Sequence, residues 1–146
     1  MKFIIISFLL NYSLQLFCQQ INGTWKGKMY FPNSKEDTVL VEFEITGKNN
    51  NKLSGYSICH FYEDNFAKTS LTGKYDSVKN EVYFAEKKID EKRMPEYTPL
   101  FLDEYYLNFD SKGKLTGIVR CKELVTNRSD IRMPCHDDMY IDLVRQ

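Results

Sequence analysis

The chain has 146 residues, a length that suits one domain able to bury roughly two thirds of its unfolded surface without a metal or a dense disulfide net. Its 20 Lys and Arg balance 20 Asp and Glu. That even balance sets up no strong field to gather nucleic acid or an anionic membrane, so neither is expected as a partner.

Residues 1–18 read as a secretory signal peptide. Lys2 supplies a short positive start, and Phe3 to Leu10 form an apolar run broken only by Ser7. The run is too short to cross a bilayer, which needs about 20 residues. A domain spanning 19–146 is therefore expected in the periplasm or outside the cell, with no transmembrane segment after cleavage. Cys18 raises lipid anchoring as a lesser alternative, but Phe17 and Gln15 stand where a lipidation signal wants a small residue and Leu. Removing Lys2 leaves 20 − 1 = 19 basic against 20 acidic residues, a net charge near −1.

The rest of the chain reads as short alternating runs separated by turn residues. In "GTWKGKMYF", Trp25, Gly27, Met29 and Phe31 share a face. In "TVLVEFEIT", Val39, Val41, Phe43 and Ile45 face one way, Glu42 and Glu44 the other. Such alternation marks a half-buried antiparallel strand. "GKNNNK" follows as a hairpin loop. The further runs are "KLSGYSICHFY", "FAKTSLTGKYD", "NEVYFAEKKI", "EYYLNFD", "KLTGIVRC" and "MYIDLVR". Only two connections are long, 90–102 and 122–136. Eight sequential strands predict an all-β, eight-stranded antiparallel up-and-down barrel, wide enough inside for side chains or one small ligand. A two-sheet sandwich is the alternative.

The phrases "NGTWKG", with Gly23 and Trp25, and "YIDLVRQ", with Arg145, open and close this pattern. With "KLSGYS", "SLTGKY", "VYFAEKKI" and "KLTGIV" between them, the chain resembles the calycin superfamily, especially the small lipocalin-like proteins secreted by Bacteroidetes. The resemblance implies a barrel in which Arg145 stacks on Trp25. The pair is read as a structural plug, held by a cation–π contact worth about 0.5–2 kcal/mol.

Glu86 continues the inward face set by Val82 and Phe84, and a carboxylate there needs a partner or a shifted pKa. It is the leading candidate to meet a ligand, with Tyr56, Tyr105, Phe43 and Phe84 as candidate cavity wall. The inner face of "KLSGYSICHFY" stays ambiguous, because Tyr56 and Ile58 fall on one parity and Cys59 and Phe61 on the other.

Each of the 2 His follows a Cys: Cys59-His60 and Cys135-His136. Zinc is not expected there, because neighbours on a strand point to opposite faces and export favours oxidised thiols. Cys121 ends the seventh strand and Cys135 precedes the eighth. A disulfide between them would close about 15 residues and stabilise by roughly 3 kcal/mol. Cys59–Cys135 and Cys59–Cys121 remain open.

The functional expectation is an exported barrel for a small apolar or amphipathic molecule, with no cofactor. The alternative is a filled barrel that binds or inhibits a protein through loops 90–102 and 122–136. Catalysis is not expected, since no nucleophile motif is visible and Glu86 is the only candidate acid or base.

Overall fold

A computed structural model describes residues 21–47, 51–96, 98–125 and 133–146. The expected signal peptide, with Cys18, lies outside the described residues, as do residues 48–50 of the "GKNNNK" loop. The strands are β1 (Gly23–Phe31), β2 (Ser34–Gly47), β3 (Lys52–His60), β4 (Phe66–Asp76), β5 (Glu81–Arg93), β6 (Leu100–Phe109), β7 (Lys114–Val125) and β8 (Met139–Arg145). Each pairs antiparallel with the next, and β8 returns to β1 to close the barrel. This is the eight-stranded up-and-down architecture expected from the alternation.

The boundaries differ from expectation at one end. β5 runs on to Arg93, β6 begins at Leu100 and β7 reaches Val125. Most of 90–102 is therefore strand, and the connection from β5 to β6 shrinks to 94–99. The charged run "DEKR" at 90–93 has no apolar alternation to announce a strand. It pairs as one all the same, with β4.

Turn chemistry sets the hairpins. Between β6 and β7, the Asp110 carboxylate accepts from the Lys112 and Lys114 amides at 2.8 and 2.9 Å. Gly113 takes a φ of +76° that a side chain would resist. Where β1 crosses β8, a Cβ on Gly27 would fall 1.7 Å from the Asp142 carbonyl oxygen, so only glycine allows that approach.

Inward positions fill the barrel from the Trp25 end to its middle. Trp25, Phe43, Phe84, Tyr105, Leu71, Leu107, Leu115, Ile141 and Leu143 are all fully buried there. Phe43 is the hub of the aromatic layer, edge-on to Tyr105 at 4.9 Å and to Phe84 at 5.9 Å. The end itself is sealed. Trp25 Nε1 donates to the Ile21 carbonyl at 2.8 Å, and Ile21 is wholly buried. Trp25 also meets Phe109 edge-on at 6.0 Å. Trp25 and Arg145 face each other in register, and Arg145 Nη2 donates to the Asn22 carbonyl at 2.7 Å.

The opposite end is built differently. β5 and β6 pair only from Glu81↔Asn108 to Ala85↔Glu104. Beyond that point, among the described residues, β5 pairs only with β4 and β6 only with β7. The β4–β5 register slips twice in the same stretch, and the β6–β7 register slips between Leu102 and Asp103. The wall thus parts into a slot between β5 and β6.

Candidate functional site

A cavity of about 220 Å³ occupies this parted end. Its walls are apolar: Met29 and Phe31 from β1, Val39 from β2, Ala67 from β4, Ile89 from β5, Leu100 and Phe101 from β6, and Met139 from β8. The polar groups gather on its inner side, where Glu86, Asp103 and His136 sit with Cys59 and Thr69. A wider hollow of about 710 Å³ lies at the Trp25 end, but it is open and bordered by Asp110, Ser111, Lys112 and Lys114.

Glu86 is 3 % exposed and lies where the β5–β6 ladder ends. One carboxylate oxygen accepts from the Ser57 hydroxyl at 2.5 Å and the Tyr105 hydroxyl at 2.8 Å. The other accepts from the Asp103 backbone N–H at 2.9 Å, a donor of the strand that has lost its β5 partner. Burial, and then the charge of Asp103, push the Glu86 pKa up to about 7 against the pull of those three hydrogen bonds. The carboxyl therefore changes protonation state near neutrality.

Asp103 also holds His136. Nε2 of the imidazole lies 3.0 Å from Asp103 Oδ1, and Nδ1 lies 2.7 Å from the Asp137 carbonyl oxygen. Both partners are acceptors, so the doubly protonated ring satisfies both contacts. Burial works against that charge, but the Asp103 carboxylate and the Asp137 carbonyl outweigh it and raise the pKa above 6.5. Phe31 and Phe101 flank the ring edge-on at 6.2 and 5.2 Å.

The covalent geometry explains how these groups meet. Cys121 stands opposite Asp103 in the β6–β7 register. Cys121 is bonded to Cys135, with Cα atoms 5.5 Å apart. His136 is the next residue, so the disulfide clamps the imidazole over Asp103. The expected Cys121–Cys135 pairing is the one present, and Cys59 is the free thiol. A disulfide of this kind indicates an oxidising compartment. Among the described residues, no helix is long and apolar enough to cross a membrane.

Cys59 lines the cavity as a thiol. Burial first, then the Glu86 and Asp103 charges, lift its pKa well above 9. Ligand atoms of Asp103, Cys121 and His136 lie within 4.8 Å of one another, but the Cys121 sulfur is spent in the disulfide. His60 is exposed and points away from Cys59, as strand neighbours must.

Among the residues singled out from the sequence, Glu86 reaches the cavity directly. Tyr105 reaches it through its hydroxyl on Glu86. Phe43 and Phe84 lie in the filled half and form the layer that supports Glu86 from below. Tyr56 is corrected: it is on the outer wall, 40 % exposed, with the Lys68 ammonium 4.4 Å from its ring centre. The odd positions of β3, including Leu53 and Ser57, turn inward instead. Ser57, Asp103 and His136 were not anticipated. The signal available for Ser57 was the odd parity of Leu53, Gly55, Ser57 and Cys59, small or apolar throughout.

No protein-family model matches the chain, and no curated protein sequence matches it.

Proposed function

We propose that this protein is an exported, lipocalin-like barrel that binds a small apolar or amphipathic molecule at its parted end. The observation that carries the reading is the cavity of about 220 Å³ with apolar walls and a cluster of polar groups on its inner side. Binding sites commonly combine those two features, the walls giving affinity and a few polar groups fixing orientation. The volume is small for such sites, which points to a ligand of one ring or a short chain. The slot between β5 and β6 gives a route inward that the sealed Trp25 end does not. The export half of the reading rests on the signal-like residues 1–18 and on the Cys121–Cys135 disulfide.

Organic extraction of the purified protein, followed by mass spectrometry, tests the binding reading. Ala67 borders the cavity and is 6 % exposed, so Ala67→Phe should fill the space. A small molecule recovered from the native chain and lost from the folded variant is the expected result. Identical extracts from both proteins would sink the proposal.

A further inference from the structure

The polar cluster in the cavity is unevenly supplied with hydrogen-bonding capacity. Its strong donors are already committed. The Ser57 hydroxyl, the Tyr105 hydroxyl and the Asp103 N–H all donate to Glu86. Both His136 nitrogens face acceptors of the protein itself. Thr69 and Cys59 add only a hydroxyl and a weak thiol donor.

Its acceptors are not used up. An ionised carboxylate offers about four lone-pair sites. Glu86 fills three of them, and the Asp103 carboxylate accepts from His136. What remains toward the cavity is acceptor capacity on two neighbouring carboxyl groups, under apolar walls. An anionic head would meet those carboxylates, and an ether or ketone would find few side-chain donors left in the cluster. An ammonium brings three donors and the complementary charge.

We infer that the cavity takes a primary ammonium on a small apolar frame, its nitrogen seated against Glu86 and Asp103. This rests on the binding reading above and names the chemical class of its ligand. At about 30 Å³ per water, the space corresponds to roughly seven waters, room for one ring with a short ammonium-bearing arm.

The titratable groups around the seat are Cys59 from β3, Glu86 from β5, Asp103 and Tyr105 from β6, and His136 ahead of β8. An added cation favours ionised Glu86 and disfavours charged His136, so binding releases a proton at neutral pH.

Three probes of nearly one shape test the inference by calorimetry on the native protein at pH 7.5: phenethylamine, phenethyl alcohol and hydrocinnamate. The amine should bind about tenfold tighter than the alcohol, the worth of one charge-assisted hydrogen bond, and hydrocinnamate should not bind. Glu86→Gln should erase the amine's tenfold advantage over the alcohol. The native-protein comparison stands even if that variant does not fold. Equal affinity for amine and alcohol, or tightest binding of hydrocinnamate, overturns the ammonium assignment while keeping the binding site. If none of the three binds, the assignment also fails, and the extraction experiment alone then decides the binding reading.

Discussion

Glu86 makes the barrel's stability depend on pH in a way that can be worked out in advance. The folded chain holds its pKa at about 7 against an ordinary value of 4.5. Below pH 4.5 the carboxyl is protonated whether the chain is folded or not, and it carries no penalty. Between 4.5 and 7 the unfolded chain has released a proton that the folded chain retains. The unfolded state then binds fewer protons, so stability falls as pH rises. At about 1.4 kcal/mol per pH unit, the loss across this window comes to about 3 kcal/mol. His136 acts in the same direction but at higher pH. Its raised folded pKa gives a contribution that is full below 6.5 and lost as pH climbs through the folded value. Urea denaturation of the native chain and of Glu86→Gln, from pH 4.5 to 8, separates the two. The variant sets an amide NH₂ or a reoriented carbonyl against the Asp103 N–H, and should start about 1–3 kcal/mol less stable at pH 5. It should lose little below pH 6.5, so the two curves approach each other toward pH 8. A native chain equally stable at pH 5 and 7, or a variant with the same acid-side slope, would refute the account of a buried carboxyl short of solvation.

Replacing Cys121 and Cys135 together by Ser should cost about 3 kcal/mol in denaturant titration. Proton NMR should also show His136 titrating closer to 6.5, because the clamp over Asp103 is gone; an unmoved titration would mean the imidazole is held without it. Phe43→Ala should cost about 3–5 kcal/mol in the same assay, since it empties the hub of the aromatic layer. Tyr56→Ala should cost under about 1 kcal/mol, as an outward ring losing one exposed cation–π contact; a larger loss would contradict its outward placement. Cys59 should resist iodoacetamide at pH 8 in the folded protein and react fully in denaturant. Rapid labelling of the native chain would show that the pKa of this half-buried thiol is not raised.

The strand order was legible because each strand carries its own period-two pattern, and an up-and-down barrel asks only that neighbours in sequence pair. Glu86 was legible for the same reason, as the next inward position after Val82 and Phe84. Its partners were not. Asp103 follows Leu102, and both are buried. The β6–β7 register slips between them, so counting alternate residues fails there. Ser57 was hidden by a strand whose two parities both hold plausible inward residues. His136 lies outside any strand, in the short segment between the disulfide and β8. Its neighbour Cys135 could be paired from the sequence, yet the significance of that bond for the imidazole depends on Cys121 facing Asp103, a fact of register. The charged stretch 90–93 misled for the opposite reason: it folds as a strand without burying a face.

That stretch has a consequence for the protein's behaviour among its own copies. Barrel closure normally leaves no strand able to recruit another chain into a growing sheet. Where β5 and β6 separate, two lengths of backbone lose their ladder partners and become sites for strand addition. Glu86 occupies the Asp103 N–H at the vertex. Along β5, every residue from Lys87 to Arg93 except Ile89 is charged. Such charges on an exposed edge act as gatekeepers against intermolecular pairing. The run that looks like idle surface in the sequence is, in this light, a defence against aggregation.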